Sequence, residues 1–284
     1  MKKKPEDLVA EIRAYCVAQQ DPKKAGKWQR YFREGYDAWG LLDKDHPIWN
    51  EKQQEWLESY GGLGLRGLLK AGELLFQSGK YEEGALAIRF LKERRDELDA
   101  KSVRRLAQWF EAGIQNWAHT DVLCGEVIAP LLESRRLDLA VLAGWRESEF
   151  KYQRRAVPVA MLGLLKTRPD IPPLLDFLRP LMMDRERVVH QGAGWFLREA
   201  WKKDPQPVEA FLLEWKARAP RLIFQYATEK MTPAARARFR RGKSSCSIPS
   251  GPTRHGGGRR RRTVRRLGVC APRRSRSPAE GPRP

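Results

Sequence analysis

Three short groups of residues carry the side chains that could do chemistry in this chain. They are residues 117–121 (Trp-Ala-His-Thr-Asp), residues 153–156 (Gln-Arg-Arg-Ala) and residues 194–199 (Gly-Trp-Phe-Leu-Arg-Glu). Each group lies at or near a predicted helix. Together they contain one candidate carboxylate, several arginines of which one could act, and two tryptophans. Such a set suits a cationic group attached to a polyanion, because aromatic faces attract cations and arginine binds phosphate.

Asp121 has two interpretations. It follows Trp117 by four residues, so a continuous helix would place both side chains on one face. Alternatively, Asp121 is an N-cap or a first-turn acid of a helix that begins near Thr120. Thr120 can itself fill the cap position, which leaves Asp121 free for chemistry. The neighbouring Arg154 and Arg155 point about 100° apart on a helix, so at most one of them faces a given groove.

The elements that must position these groups are predicted to be helices. Helical periodicity runs through almost every segment up to Arg241, and no alternating apolar run is long enough for a strand. The rhythm of antiparallel helix pairs favours an all-α, HEAT-like helical-repeat solenoid (an α-α superhelix) for residues 1–241, with a compact helical bundle as the alternative. Residues 62–67 fit a GxGxxG pattern, but they follow a helix, which predicts a loop and helix cap and not a dinucleotide site.

The charge of the chain indicates a polyanionic partner. The formal net charge is +20 and the pI is near 10.1, which favours nucleic acid over an anionic membrane surface. Residues 242–284 hold 12 Lys/Arg and one acid, Glu280, which leaves about +9 for residues 1–241. This Arg/Gly/Ser/Pro-rich tail is predicted to be disordered. It is either a nonspecific nucleic-acid-binding tail or an out-of-frame extension of a natural end near Arg241.

Other classes of protein are disfavoured by composition. The four cysteines and four histidines are too scattered for a disulfide framework or a metal site. The basic N-terminus continues into Pro5-Glu6-Asp7, so no signal peptide is expected. The longest apolar run, residues 157–165, is too short to span a bilayer. We expect a monomeric protein of the bacterial cytoplasm, with no metal or organic cofactor.

The three groups resemble the AlkD-type DNA alkylation-repair glycosylases. The order and spacing of Trp117-x-x-x-Asp121, Gln153-Arg154 and residues 194–199 match the pattern of that family. An earlier Arg30-Tyr31, with Gly40 nine residues after the tyrosine, fits its N-terminal element. The resemblance covers most of residues 5–235 and excludes the tail.

The resemblance implies a HEAT-like solenoid whose basic concave face binds duplex DNA containing alkylated bases. The family removes cationic N-alkylated purines, typically 3-methyladenine and 7-methylguanine, without having to draw them into a pocket. Asp121 would be the catalytic carboxylate, and Trp117 and Trp195 would line the cleft that faces the lesion. Arg154 would hold a backbone phosphate and orient Asp121, and Tyr31 is a further candidate for the cleft.

Three positions depart from the family pattern. Asn116 precedes Trp117 in a thinner tryptophan-rich run, Lys151 stands where an aromatic residue is frequent, and Gln191 stands where a lysine is frequent. These departures concern phosphate contact and leave Asp121 in place.

The implied chemistry is consistent with these residue types. An alkylated purine is a cationic leaving group, so the transition state resembles an oxocarbenium ion that a carboxylate can stabilise. The competing hypothesis is a non-catalytic helical-repeat module that binds nucleic acid or a protein. That hypothesis leaves an acid placed between tryptophans on a basic cleft unexplained.

Overall fold

Helices follow one another through the chain, as the periodicity predicts. The computed structural model describes residues 3–32, 35–41, 47–167 and 170–241. Within them there is no β-strand, and a single isolated bridge joins Asp37 and Lys80. The prediction of an all-α protein is therefore confirmed. The predicted disorder of residues 242–284 lies outside the described residues.

The α-helices are numbered here in chain order. They are α1 (Pro5–Gln19), α2 (Pro22–Trp28), α3 (Pro47–Tyr60), α4 (Gly64–Phe76), α5 (Tyr81–Glu93), α6 (Ala100–Arg105), α7 (Ala107–Ala112), α8 (Trp117–Leu123), α9 (Ala129–Glu133), α10 (Lys151–Met161), α11 (Leu164–Thr167), α12 (Pro172–Leu178), α13 (Arg187–Lys203), α14 (Pro205–Trp215), α15 (Arg221–Ala227) and α16 (Pro233–Ala237). Short 3₁₀ segments occupy Gln29–Tyr31, Gly61–Leu63, Arg95–Glu97, Leu139–Glu147 and Arg179–Met183, and Cys124–Ile128 forms a π-helical turn.

Two layers of helices arise from the packing of successive pairs. In one layer α5 packs against α8, α8 against α10, α10 against α13 and α13 against α15. In the other layer α4 packs against α7, and α12 packs against α14. Within such a layer each helix packs mainly against the helix before it and the helix after it, as in a helical repeat fold. The layer of α8, α10 and α13 carries all three groups of candidate residues on consecutive helices. The HEAT-like assignment and a concave basic face stay predictions.

One predicted α-helix is a 3₁₀ helix instead. The sequence pattern predicts an α-helix over residues 137–145, but the structure has a 3₁₀ segment at Leu139–Glu147. The buried side chains of Leu139, Leu142 and Trp145 are three residues apart. A helix with three residues per turn aligns all three along one line, whereas an α-helix would spread them over about 120°. Burial of this apolar side explains the tighter winding.

Residues 62–67 connect two helices, as the sequence predicts. Gly61–Leu63 form a 3₁₀ turn directly after α3, and Gly64 begins α4 with a φ of +61°. Glycine adopts this left-handed conformation without the steric cost that a Cβ would impose. The glycine pattern thus serves the connection between α3 and α4 and the first turn of α4.

The core between α4 and α7 depends on a close approach of one glycine to one tryptophan. Trp109 is 1% exposed and donates its indole N–H to the Leu69 carbonyl at 3.0 Å. A Cβ at Gly72 would lie 2.2 Å from the Cζ2 atom of Trp109. The absence of a side chain at Gly72 therefore allows the Trp109 ring of α7 to pack directly against the backbone of α4.

We predict that Gly72→Ala destabilises the fold by about 3 kcal/mol, because the added methyl group would overlap the buried ring of Trp109. Urea unfolding monitored by circular dichroism would measure this loss. Gly26→Ala is the matched control, since a Cβ there meets no atom within 4 Å and alanine favours the helix. Equal stability of both variants would contradict the prediction.

No helix among the described residues is both long and apolar enough to cross a membrane.

Candidate functional site

Asp121 forms a bidentate ion pair with Arg155. The Nε atom of Arg155 donates to Oδ1 of Asp121 at 2.9 Å, and its Nη2 atom donates to Oδ2 at 2.8 Å. A third bond joins Nη1 of Arg155 to the carbonyl of Val188 at the start of α13, at 2.8 Å. The Asp121 side chain is 18% exposed and that of Arg155 is 7% exposed. One arginine thus ties α8, α10 and α13 together and leaves the carboxylate partly accessible.

Asp121 is not a helix cap. Helix α8 begins at Trp117, and Asn116 is its N-cap, with its side-chain oxygen accepting the N–H of His119 at 2.8 Å. Thr120 lies inside the helix and donates its hydroxyl to the Asn116 carbonyl at 2.9 Å. The expected helix start near Thr120 is therefore wrong by one turn. Because Asn116 provides the cap, the cap interpretation of Asp121 is also wrong.

The helical stretch that carries Asp121 changes its winding directly after it. The π-helical turn Cys124–Ile128 lies between α8 and α9, and Pro130 follows one residue into α9. Proline has no N–H, so the helical bond to the Glu126 carbonyl is missing, and Nη1 of Arg95 approaches that carbonyl at 3.3 Å instead. The buried Cys124 donates its Sγ–H to the Ala156 carbonyl on α10 at 3.3 Å. The Cys124 bond holds the turn that follows α8 against α10, the helix that carries Arg155.

Arg154 does not contact Asp121. Its Nε donates to Oδ2 of Asp184 at 2.6 Å, and its Nη1 donates to the carbonyls of Ser148 and Glu149 at 2.6 and 3.0 Å. The expectation that Arg154 orients Asp121 is therefore corrected to Arg155. The reason is the turn of about 100° between adjacent helix positions, which directs the two side chains toward different neighbouring segments.

Asp184 was not singled out from the sequence, although it completes a second buried ion pair beside the first. The side chains of Arg154 and Asp184 are 9% and 6% exposed. Oδ1 of Asp184 also accepts the backbone N–H of Glu186 at 2.7 Å, and its carbonyl accepts Nε2–H of His190. These bonds fix the stretch of backbone that leads into α13. An acid in a loop after a 3₁₀ segment gives no sequence signal for such a role.

Two opposing effects act on the carboxyl group of Asp121. Burial raises the pKa of Asp121 above its usual value, while the charge and hydrogen bonds of Arg155 lower the pKa and oppose part of that rise. Breaking the pair would therefore leave only the effect that favours protonation.

Trp117 lies one helical turn before Asp121 and is 43% exposed. One ring face stacks on Phe32, with the centroids 5.6 Å apart and the planes 14° from parallel. Its Nε1–H donates to the carbonyl of Tyr31 at 3.4 Å. The structure thus brings Tyr31 to Trp117 through its backbone, while the phenol oxygen accepts a bond from Arg30 at 2.8 Å.

Glu82 holds the loop that follows this N-terminal segment. Its buried carboxylate accepts the backbone N–H groups of Trp39 at 2.9 Å, Gly40 at 2.8 Å and Leu41 at 3.0 Å. Gly40 has a φ of +84°, and a Cβ there would lie 2.1 Å from the Asp21 carbonyl oxygen. Gly40 therefore has a packing role that ties α2 and this loop to the start of α5.

Trp195 lies on α13, which packs against α10 in the same layer, and is partly buried. It lines an open cleft of about 650 Å³ together with Leu162, Leu165, Lys166, Glu199, Lys202 and Lys203. The preceding Gly194 packs against α15, where a Cβ would lie 2.5 Å from Cβ of Tyr226. Convergence of Trp195 with Trp117 and Asp121 on one surface stays a prediction. The packing of their helices in one layer is the observation that supports it.

Gln191 and Lys151, which depart from the family pattern, have local contacts. Nε2 of Gln191 donates to the Tyr226 hydroxyl at 2.8 Å, and the Lys151 ammonium lies 5.5 Å from the Tyr152 ring centroid. Within residues 3–32, 35–41, 47–167 and 170–241, no three His, Cys, Asp or Glu side chains are grouped so that they could hold a metal ion.

His119, between Trp117 and Asp121, is a neutral core residue. Its ring stacks on Tyr81 at 4.5 Å, its Nε2–H donates to the Tyr81 carbonyl at 2.9 Å, and Nδ1 accepts from the Asn116 amide at 2.9 Å. Burial lowers the pKa of His119 to about 4. The unfolded chain, with an ordinary histidine pKa, binds a proton at higher pH than the folded chain does.

We therefore predict that folding stability falls as the pH is lowered from about 6.5 to about 4, by roughly 3 kcal/mol from this one group. Urea unfolding at several pH values would measure the slope. His119→Gln is the comparison, since glutamine does not titrate and the remaining carboxylates titrate in both proteins. Identical slopes for the wild type and the variant would show that His119 does not cause the effect.

A protein-family model matches most of the chain. Residues 12–231 match the model of a family described as DNA alkylation repair enzyme. Among solved structures, the chain is similar to the "Predicted DNA alkylation repair enzyme from Enterococcus faecalis", with 16% sequence identity, a TM-score of 0.56, and coverage of 76% of this chain and 98% of that chain. At this identity the likeness concerns the fold alone. The comparison with curated proteins gives no match.

Proposed function

The chain belongs to the DNA alkylation repair enzyme family, and we propose that it is a DNA glycosylase of this family. Its substrates would be cationic N-alkylated purines in duplex DNA, with 3-methyladenine and 7-methylguanine as the first candidates. The observation that carries the proposal is the Asp121–Arg155 pair, which fixes a partly accessible carboxylate one helical turn after Trp117, whose side chain is exposed.

Asp121 would stabilise the positive charge that develops on the sugar. The bond from the deoxyribose to an alkylated purine breaks with the base leaving as a neutral molecule, so the positive charge moves from the base to the sugar. A carboxylate held in a site with little water stabilises that charge and can orient or deprotonate the attacking water. Trp117 adds attraction between its ring face and the cationic sugar or base.

Arg155 would position Asp121 and also contact a DNA phosphate. Its bonds to Asp121 and Val188 use three of its five N–H groups. Arg154 has four bonds, to Asp184, Ser148 and Glu149, and so keeps fewer N–H groups for a phosphate than Arg155, although the two residues are about equally buried, with 7% and 6% exposed. The phosphate contact first expected of Arg154 therefore fits Arg155 better. No step of this mechanism calls for a metal or an organic cofactor.

Release of free base from methylated duplex DNA tests the proposal. Purified protein, in excess over duplex DNA treated with a methylating agent, should release 7-methylguanine and 3-methyladenine faster than the same DNA without protein. Chromatography with mass detection identifies the bases. Tight binding to DNA without base release above the spontaneous rate would refute the glycosylase and favour the non-catalytic binding module.

The proposed division at residue 241 gives a separate prediction. Log affinity for DNA should fall linearly with log salt, because bound Lys and Arg release counterions from the phosphates. Deleting residues 242–284 should make that slope shallower and leave base release intact, since the candidate site lies upstream. Binding titrations at several salt concentrations measure the slope. A folded truncation that loses base release would show that the division is wrong.

A further inference from the structure

Trp28 is the most exposed of the ten tryptophans in this chain, all of which lie in the described residues. Its exposed fraction is 44%, and that of Trp117 is 43%. Most tryptophans are largely buried, since the indole ring has the largest apolar surface of any side chain. Exposed tryptophans are enriched at binding surfaces. Trp117 has a proposed role on DNA, whereas Trp28 has no role in the proposed mechanism.

A short chain of contacts connects Trp28 to Trp117. The Trp28 ring lies 5.8 Å from the Tyr31 ring, centroid to centroid. The Tyr31 carbonyl accepts the indole N–H of Trp117, and the next residue, Phe32, stacks on the Trp117 ring. Tyr31 thus contacts both exposed indoles, through its ring on one side and its carbonyl on the other. Trp28 therefore lies in the immediate surroundings of the proposed site.

The segment that carries Trp28 is cationic. Lys23, Lys27 and Arg30 are exposed on α2 and the 3₁₀ turn after it. The Arg30 guanidinium lies 4.8 Å from the Tyr31 ring centroid. An apolar protein partner would not favour such a charged surface. A phosphodiester backbone with bases beside it provides both anions for the cations and a planar ring for the indole.

The exposure of Trp28 does not serve the stability of α2. This helix contains no buried residue. It is held at its start, where Oδ1 of Asp21 accepts the N–H groups of Lys23 and Lys24, and where the Asp21 N–H donates to the Trp39 carbonyl at 2.8 Å. Removing the Trp28 ring should therefore leave the helix in place.

We infer that Trp28 stacks on a nucleobase that flanks the alkylated base, while Lys23, Lys27 and Arg30 contact the backbone of the same DNA. This inference rests on the proposed function for the position of the lesion, and its partner is duplex DNA. The site would then hold the duplex at two aromatic surfaces, Trp117 at the lesion and Trp28 beside it.

The test combines affinity with a local reporter. Duplexes carry 2-aminopurine next to a 7-methylguanine, and binding is followed by fluorescence anisotropy and by the 2-aminopurine signal. Trp28→Ala should weaken binding about tenfold, within the range for loss of one base–aromatic stack, and abolish the protein-dependent change in 2-aminopurine fluorescence. Trp28→Phe should recover most of both, because phenylalanine keeps a ring face.

Leu213→Ala is the matched control, since Leu213 is an exposed large apolar residue (41%) on α14, a helix that packs against α12 and α13. It should change neither readout. Equal binding by Trp28→Ala and the wild type would overturn the inference, as would an equal loss in the Leu213→Ala control. If the wild type binds but releases no base while Trp28→Ala still weakens binding, the glycosylase proposal fails and the Trp28 contact stands.

Discussion

Asp121→Asn is expected to slow base release by roughly two to three orders of magnitude, the scale of losing one preorganised electrostatic group. Asparagine keeps the shape and one acceptor oxygen, but it lacks the negative charge that would stabilise the oxocarbenium ion. DNA binding should stay the same or become slightly tighter, because a negative charge near phosphates is gone. Single-turnover release of 7-methylguanine, with the no-enzyme rate subtracted, measures the effect.

A control for Asp121→Asn must separate the loss of catalysis from the loss of folding stability. The Asp121→Asn substitution leaves the buried Arg155 guanidinium without a charged partner, and so the variant should melt at a lower temperature than the wild type. Asp184→Asn breaks the neighbouring pair with Arg154, whose carboxylate is more buried than that of Asp121 (6% against 18% exposed), but it retains Asp121. It should therefore lose stability with a far smaller loss of base release. A folded Asp121→Asn protein with the wild-type rate would end the catalytic assignment.

Arg155→Gln is expected to affect both stability and the pH dependence of base release. Breaking a buried ion pair by removing one partner costs about 3 kcal/mol, at the lower end of the usual range because Asp121 is 18% exposed. Without Arg155, burial alone acts on the carboxyl group, and the pKa of Asp121 rises further. Since the charged form is the active one, base release should be lost at a higher pH than in the wild type as the pH falls.

Arg154→Gln is the matched control for this second variant. It removes the adjacent arginine and breaks the pair with Asp184, so it should lower the unfolding free energy by a similar amount. It leaves the Asp121–Arg155 bonds in place and should not move the acid limb of the rate profile. Single-turnover rates between pH 5 and 8, with spontaneous loss subtracted at each pH, separate the variants. A shift in the Arg154→Gln profile alone would restore the assignment of Arg154 as the partner of Asp121.

Several features of the molecule were readable from the sequence because they depend on local pattern. Apolar residues at helical spacing predicted an all-α chain, and the glycines of residues 62–67 predicted a turn. The spacing of Trp117 and Asp121 predicted one helix face, and the order of the three motifs led to the family. The misplaced start of α8 shows the limit of local rules, since Asn116 and Thr120 are both acceptable caps.

The partners of Asp121 and Arg154 were decided by the tertiary structure. Arg154 and Arg155 are the same residue type at adjacent positions of α10. Which of them meets Asp121 therefore depends on how α10 is rotated about its own axis relative to α8 and α13. Asp184, 30 residues from Arg154, becomes its partner only after the loop before α13 folds back. Ion pairs need contact within a few ångströms, and helical periodicity gives directions around one helix but no distances between helices. For that reason the sequence could single out Asp121 as the candidate acid, whereas the packing of three helices determined which arginine pairs with it.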